Sequence, residues 1–89
     1  MIKIEFHARF QKNYKKRIKS NKKLDFLFQN RIKQFCLNPN YDLLNNHQLI
    51  GKMKGLYSFS VGGDNRVVYQ WLDANTVLFL DIGSHNQVY

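Results

Sequence analysis

The spacing of apolar residues changes several times along the chain, and each change marks a new element. Ile2, Ile4 and Phe6 alternate with Lys3 and Glu5, the period-two pattern of a short strand. Phe10, Tyr14 and Ile18 then recur every four residues with Lys and Arg between them, which predicts an amphipathic helix over roughly His7 to Lys19. Ser20 and Asn21 are N-cap candidates for a second helix, along which Leu24, Leu27, Phe28, Ile32 and Phe35 form an apolar stripe. Asn38-Pro39 ends it, because the residue before proline avoids the α region. The two helices should form a hairpin.

The stretch from Asn38 to Lys54 is polar, with Tyr41, Leu43, Leu44, Leu49 and Ile50 as apolar anchors. A connection this long in a small protein is usually functional or disordered, and the anchors argue for order. Three strands are expected next, Leu56 to Val61, Arg66 to Leu72 and Thr76 to Ile82, joined by turns at Gly62-Gly63-Asp64-Asn65 and Asp73-Ala74-Asn75. The glycine at position 83 should release the chain from the last strand, so that loss of the last five residues would leave the fold largely intact. The expected class is α+β, in the order β-α-α-β-β-β, with a helical hairpin on one face of a small, mainly antiparallel twisted sheet. With 89 residues, a single domain over 1–89 is expected.

Charge narrows the partners. The net charge is +8, and eleven of the 14 Lys and Arg lie between Lys3 and Lys33, opposed only by Glu5 and Asp25. A basic surface of this kind suits nucleic acid, an anionic membrane or an acidic protein. The helical stripes are needed for the core, which argues against a membrane-active helix pair. Cys36 is the only cysteine, so neither an intrachain disulfide nor a cysteine zinc site can form. The N-terminus lacks the apolar region of a signal peptide, and Val77-Leu78-Phe79-Leu80 is too short to span a bilayer. A soluble protein of a reducing cytoplasm is the expectation.

No local motif announces the chemistry: there is no phosphate-binding glycine loop, zinc-binding helix or nucleophile elbow. The candidates are scattered. His47 lies in the long connection, Asp64 in the first hairpin turn, Arg66 at the start of the following strand, and His85 and Tyr89 in the tail. A meander can gather the ends of these elements. Two histidines suit proton transfer near neutrality, an arginine fork suits a phosphate, and one aspartate completes the set. Those parts suffice to cleave RNA without metal: a base activates the 2′-hydroxyl, an acid protonates the departing 5′-oxygen, and cations stabilise the added charge. Tyr89 could stack on a base, and Lys52 and Lys54 join Arg66 as phosphate contacts. Each residue also has a plain structural role: Asp64 as a turn former, Arg66 in a cross-strand pair, Tyr89 as a plug at the core edge, His7 as a helix start. A metal site made by His47, Asp64 and His85 is formally possible, but no spacing asks for it.

Taken together, Asn38-Pro39, Leu44-x-x-His47-x-Leu49-x-Gly51, Asp64-x-Arg66-Val67-Val68-Tyr69 and Ile82-Gly83-x-His85-x-x-x-Tyr89 resemble the RelE/ParE superfamily of toxins from bacterial type II toxin–antitoxin modules. The pattern is most similar to the YafQ-like branch of mRNA interferases, and the likeness runs over essentially the whole chain. The resemblance implies a ribosome-dependent endoribonuclease acting on mRNA, with no cofactor, held in check by a cognate antitoxin. It implies catalytic roles for His47, Asp64 and His85, a base-stacking role for Tyr89, and a phosphate role for Arg66. Basic helix residues would dock on ribosomal RNA. The free toxin is expected to be a monomer, and the toxin–antitoxin complex a higher oligomer. One departure is visible: the branch often carries a further histidine just before the turn aspartate, where Gly62-Gly63 stand here. Two other readings compete, a ParE-like toxin that binds DNA gyrase without nuclease activity, and a basic RNA- or protein-binding module without chemistry.

Overall fold

The computed structural model describes residues Met1–Tyr89. Strand β1 (Lys3–Phe6) leads into α1 (Ala8–Arg17) and α2 (Lys22–Leu37), followed by β2 (His47–Gln48), β3 (Tyr57–Gly62), β4 (Asn65–Trp71), β5 (Thr76–Ser84) and a single helical turn, α3 (His85–Val88). The five strands form one sheet in the order β1-β5-β4-β3-β2. β2 to β5 pair antiparallel, and β1 runs parallel to β5. The expected helical hairpin and mainly antiparallel sheet are therefore present. No helix is long and apolar enough to cross a membrane.

The helix ends follow from local chemistry. His7 caps α1 by accepting the Arg9 N–H at Nδ1, 3.0 Å away, which is the helix-start role expected of it. Lys15, Lys16 and Arg17 occupy the last turn, where cations complement the helix dipole. Of the two cap candidates for α2, Asn21 is the one used, with Oδ1 accepting the Leu24 N–H. Tyr14 donates to Asp25 across the hairpin at 2.6 Å and ties the two helices together.

The core lies between this hairpin and one face of the sheet. Phe10, Ile18, Phe28 and Phe35 from the helices meet Phe59, Val61, Val67, Tyr69, Val77, Phe79 and Ile82 from the strands. Phe35 stacks on Phe59 at 4.8 Å and meets Tyr69 and Phe79 edge-on. Truncating such a ring typically costs about 3–5 kcal/mol. At the β3–β4 turn, Gly62 has φ 121°, and a Cβ there would overlap the Leu27 side chain, so glycine alone lets the turn press against α2.

Three expectations are corrected. The long connection is not one loop: it holds β2 and two 3₁₀ turns, at Asp42–Leu44 and Gly51–Met53. Of its proposed anchors only Leu44 is buried, whereas Leu43 and Ile50 are exposed. Gly83 does not release the chain from the sheet. Arg66 still pairs with Gly83, and Asn65 with Ser84, so β5 runs two residues further than expected. The tail is not dispensable to the fold either. Ser84 and Gln87 form a capping box for α3, and Val88 is buried, so removing the last five residues would uncover apolar surface.

Candidate functional site

The side chains of β3 and β4 alternate between the two faces of the sheet. Phe59, Val61, Val67 and Tyr69 point into the core, so Ser58, Ser60, Arg66 and Val68 belong to the opposite face, away from the helical hairpin. His47 is the register partner of Ser58, which places it on the same face one strand away. α3 folds back over this face from the end of β5, bringing the tail to the same place.

The connection before His47 is anchored from the core. Tyr69 donates to Asn46 Oδ1 at 2.7 Å, and the Asn46 amide donates to the Pro39 carbonyl at 3.0 Å. Burial pushes the Tyr69 phenol up to about 12, so it remains a neutral donor. Asn45 adopts the left-handed conformation, φ 47°, and its carbonyl lies 2.8 Å from His47 Nδ1. A carbonyl only accepts, so Nδ1 carries the proton and Nε2 is left with a free lone pair. The exposed His47 ring is thus fixed in the tautomer of a base at Nε2.

At the other end of the face, the Asp64 carbonyl accepts the His85 N–H at 3.1 Å, and its Oδ2 lies 3.4 Å from the same nitrogen. The turn aspartate therefore fixes where α3 begins, and with it the exposed His85 side chain. The His85 and Tyr89 rings meet edge to face at 4.6 Å. The Tyr89 hydroxyl donates to Oγ of fully buried Ser58. A continuous set of contacts thus runs from Ser58 through Tyr89 and His85 to Asp64, with His47 on the neighbouring strand as the register partner of Ser58. Tyr89 as a whole stays 41% exposed although its hydroxyl is anchored.

Arg66 lies beside these residues. Its Nη1 donates to Ser60 Oγ, the Gly63 carbonyl and the Asn65 carbonyl at 3.0–3.2 Å. Those bonds hold the guanidinium at the turn and leave its Nε and Nη2 donors without protein partners. Lys52 and Lys54 are exposed in and beside the second 3₁₀ turn, and no hydrogen bond or ion pair joins them to the other candidates. No three His, Cys, Asp or Glu side chains gather closely enough to hold a metal ion. Sequence reasoning missed three supporting residues: Ser58, Asn46 and Tyr69. The serine reads as an ordinary strand polar residue. The Tyr69–Asn46 bond joins positions 23 apart and leaves no local signal.

Comparison with known proteins identifies the family and the fold. Residues 2–89 match the family model of the bacterial toxin of type II toxin–antitoxin system, YafQ. Among solved structures, a metal-bound toxin from Helicobacter pylori is 26% identical, with all of both chains covered and a TM-score of 0.75. YafQ from E. coli is 20% identical, covering 100% of this chain and 99% of that one, with a TM-score of 0.76. The E. coli DinJ–YafQ toxin–antitoxin complex aligns at 20% identity over 99% of this chain and 97% of that one, with a TM-score of 0.73. No curated protein sequence gives a significant match. Because the family match spans the strands, the hairpin and the tail alike, the chain belongs to the YafQ family of toxins from bacterial type II toxin–antitoxin systems.

Proposed function

We propose that this toxin is a ribosome-dependent endoribonuclease that cuts mRNA by acid–base catalysis with the substrate's own 2′-hydroxyl as nucleophile. The observation that carries the reading is the placement of two histidines on one face of the sheet: His47, with a free Nε2, is the register partner of Ser58, and His85, whose backbone N–H is held by Asp64, meets the Tyr89 ring that is anchored on the same serine. His47 Nε2 takes the 2′-hydroxyl proton, and the oxygen attacks the adjacent phosphorus. The bond from phosphorus to O5′ breaks as protonated His85 delivers its proton to O5′. The products are a 2′,3′-cyclic phosphate and a 5′-hydroxyl. Arg66 uses its unpartnered nitrogens on the phosphate oxygens. Asp64 is a positioning residue, and the exposed Tyr89 ring stacks on a base. Lys52, Lys54 and the basic helices contact RNA phosphates, including those of the ribosome.

The natural regulator is an acidic antitoxin. A basic surface of net charge +8 fits one, and the E. coli relative is described in complex with the antitoxin DinJ. The apolar groove outside α1 and α2, about 300 Å³ and lined by Phe6, Phe10, Tyr14 and Ile32 with Lys15 at its rim, is a seat for an amphipathic acidic segment. The test is primer extension on translating ribosomes with the purified toxin. Discrete cuts with cyclic-phosphate ends are expected, and a 2′-deoxy nucleotide at the cut position should abolish them. Intact mRNA together with arrested replication would select the gyrase-binding reading instead.

A further inference from the structure

The face opposite the hairpin carries a cavity that none of these roles uses. It has a volume of about 140 Å³, and Met53, Leu56, Val68, Leu80 and Val88 form its apolar lining. Val68 is the register partner of Ser58, the residue that holds Tyr89, so the cavity opens one strand away from the proposed catalytic residues. Drug-sized ligands fill roughly 300–1,000 Å³. This cavity is smaller and suits a single planar ring system.

Its rim is polar in a specific way. His7 accepts the Arg9 N–H at Nδ1, so the neutral imidazole presents a donor at Nε2. Asp81 accepts the Asn13 amide and the Ile82 N–H at Oδ1, and Arg17 lies 3.5 Å from the same oxygen. Its Oδ2 has no protein partner. The Arg9 side chain also lines the rim and is held by no hydrogen bond or ion pair; Lys52 and Lys54 are exposed neighbours of Met53 in the sequence and do not line the cavity. An apolar slot thus faces one acceptor, one donor and one unpaired cation, Arg9.

The geometry points to a nucleobase subsite in this cavity, occupied by an amino-bearing base (adenine, guanine or cytosine) of the RNA beside the scissile phosphate. The ring lies on the Val68–Leu80 floor, its exocyclic amine donates to Asp81, and Arg9 at the rim neutralises a flanking phosphate. Uracil places a carbonyl where the carboxylate wants a donor, so it is disfavoured. This assignment rests on the nuclease reading and adds a base preference to it.

The test uses 2′-O-methylated RNA hexamers, which cannot be cleaved, each carrying one abasic position, with binding measured by fluorescence anisotropy. For the wild-type protein, one abasic position should weaken binding about tenfold, and uracil at that position should do nearly the same. Met53→Trp fills the cavity from an exposed turn, and Leu80→Phe fills it from the sheet; either should erase the penalty. No abasic penalty in the wild type, or a full penalty in both filled variants, overturns the subsite. Cleavage on ribosomes is measured in parallel. Wild-type cleavage without any abasic penalty removes the subsite and leaves the nuclease standing. A penalty without cleavage keeps the subsite and removes the nuclease. The absence of both removes both.

Discussion

Substituting Gly83→Ala probes whether the tail is held against the sheet as the structure has it. The backbone at this position is ordinary for a strand, so alanine should gain about 0.5–1 kcal/mol from reduced freedom of the unfolded chain. The space is the obstacle. A Cβ at position 83 would lie 2.6 Å from Gln87 Oε1, 2.8 Å from Arg17 Nη1 and 3.1 Å from Gln87 Cβ. The first two are ends of flexible side chains, so they would swing away and lose their bonds. Gln87 would give up the Ser84 N–H it accepts at 2.7 Å, worth about 1 kcal/mol. Arg17 would give up the Ile82 carbonyl at 3.0 Å, a charged hydrogen bond worth about 1.5–3 kcal/mol. The net expectation is a loss of about 2 kcal/mol, or a fall in Tm of roughly 10 °C for a chain of this size. Thermal unfolding followed by circular dichroism reads this directly. A double-mutant cycle with Gln87→Ala identifies the cause. If the crowding acts through Gln87, the second substitution costs about 1 kcal/mol in the wild-type background and almost nothing in the Gly83→Ala background. An unchanged Tm for Gly83→Ala, or strictly additive effects, would refute the reasoning.

The remaining predictions concern the anchors and the charge. Tyr69→Phe leaves Asn46 Oδ1 without its donor, and should cost about 1–2 kcal/mol while speeding hydrogen exchange around His47. The folded-state pKa of Tyr69 is raised from 10.0 to about 12, so the folded protein keeps that proton longer than the unfolded chain. The contribution of the neutral phenol is complete below pH 10 and is lost as pH rises to about 12, a phase that Tyr69→Phe should lack in alkaline unfolding. Tyr89→Phe leaves the buried Ser58 hydroxyl unpaired, and should lower stability by about 1–2 kcal/mol, read as a shifted urea midpoint. Binding of single-stranded RNA should weaken with salt, with a log–log slope of roughly −0.7 per phosphate neutralised. Replacing both Lys52 and Lys54 with Ala should make that slope shallower.

The legible parts of the fold are those with long, regular patterns. The four-residue spacing from Phe10 to Ile18, the stripe from Leu24 to Phe35 and the Asn21 cap place both helices, because each feature acts within one or two turns. β2 is not legible because two polar residues, His47 and Gln48, have no period, and their pairing depends entirely on β3. α3 is too short for a hydrophobic pattern, although Ser84 and Gln87 at capping-box spacing are a readable sign of it. Gly83 reads as a chain breaker because glycine reports only that a side chain is missing. The reason it is missing is the approach of Gln87 from α3 and of Arg17 from α1, the latter far away in the sequence. The same distinction holds for the site. His47, Asp64, Arg66 and His85 stand out by chemical type, whereas Asn46 and Tyr69, which anchor the segment before His47, and Ser58, which holds Tyr89, become visible only when the strands are in register.

The central claim is that His85 delivers the proton to the departing 5′-oxygen. Primer extension on translating ribosomes with His85→Ala and His47→Ala, beside the wild type, tests it most directly. His85 is exposed and the Tyr89–Ser58 hydrogen bond does not involve its ring, so the variant should fold and lose at most about 1 kcal/mol with the ring contact to Tyr89. Loss of a general acid predicts cleavage slowed by about 10²–10⁴-fold, with His47→Ala impaired over a similar range. Cleavage by a folded His85→Ala protein at the wild-type rate would contradict the account.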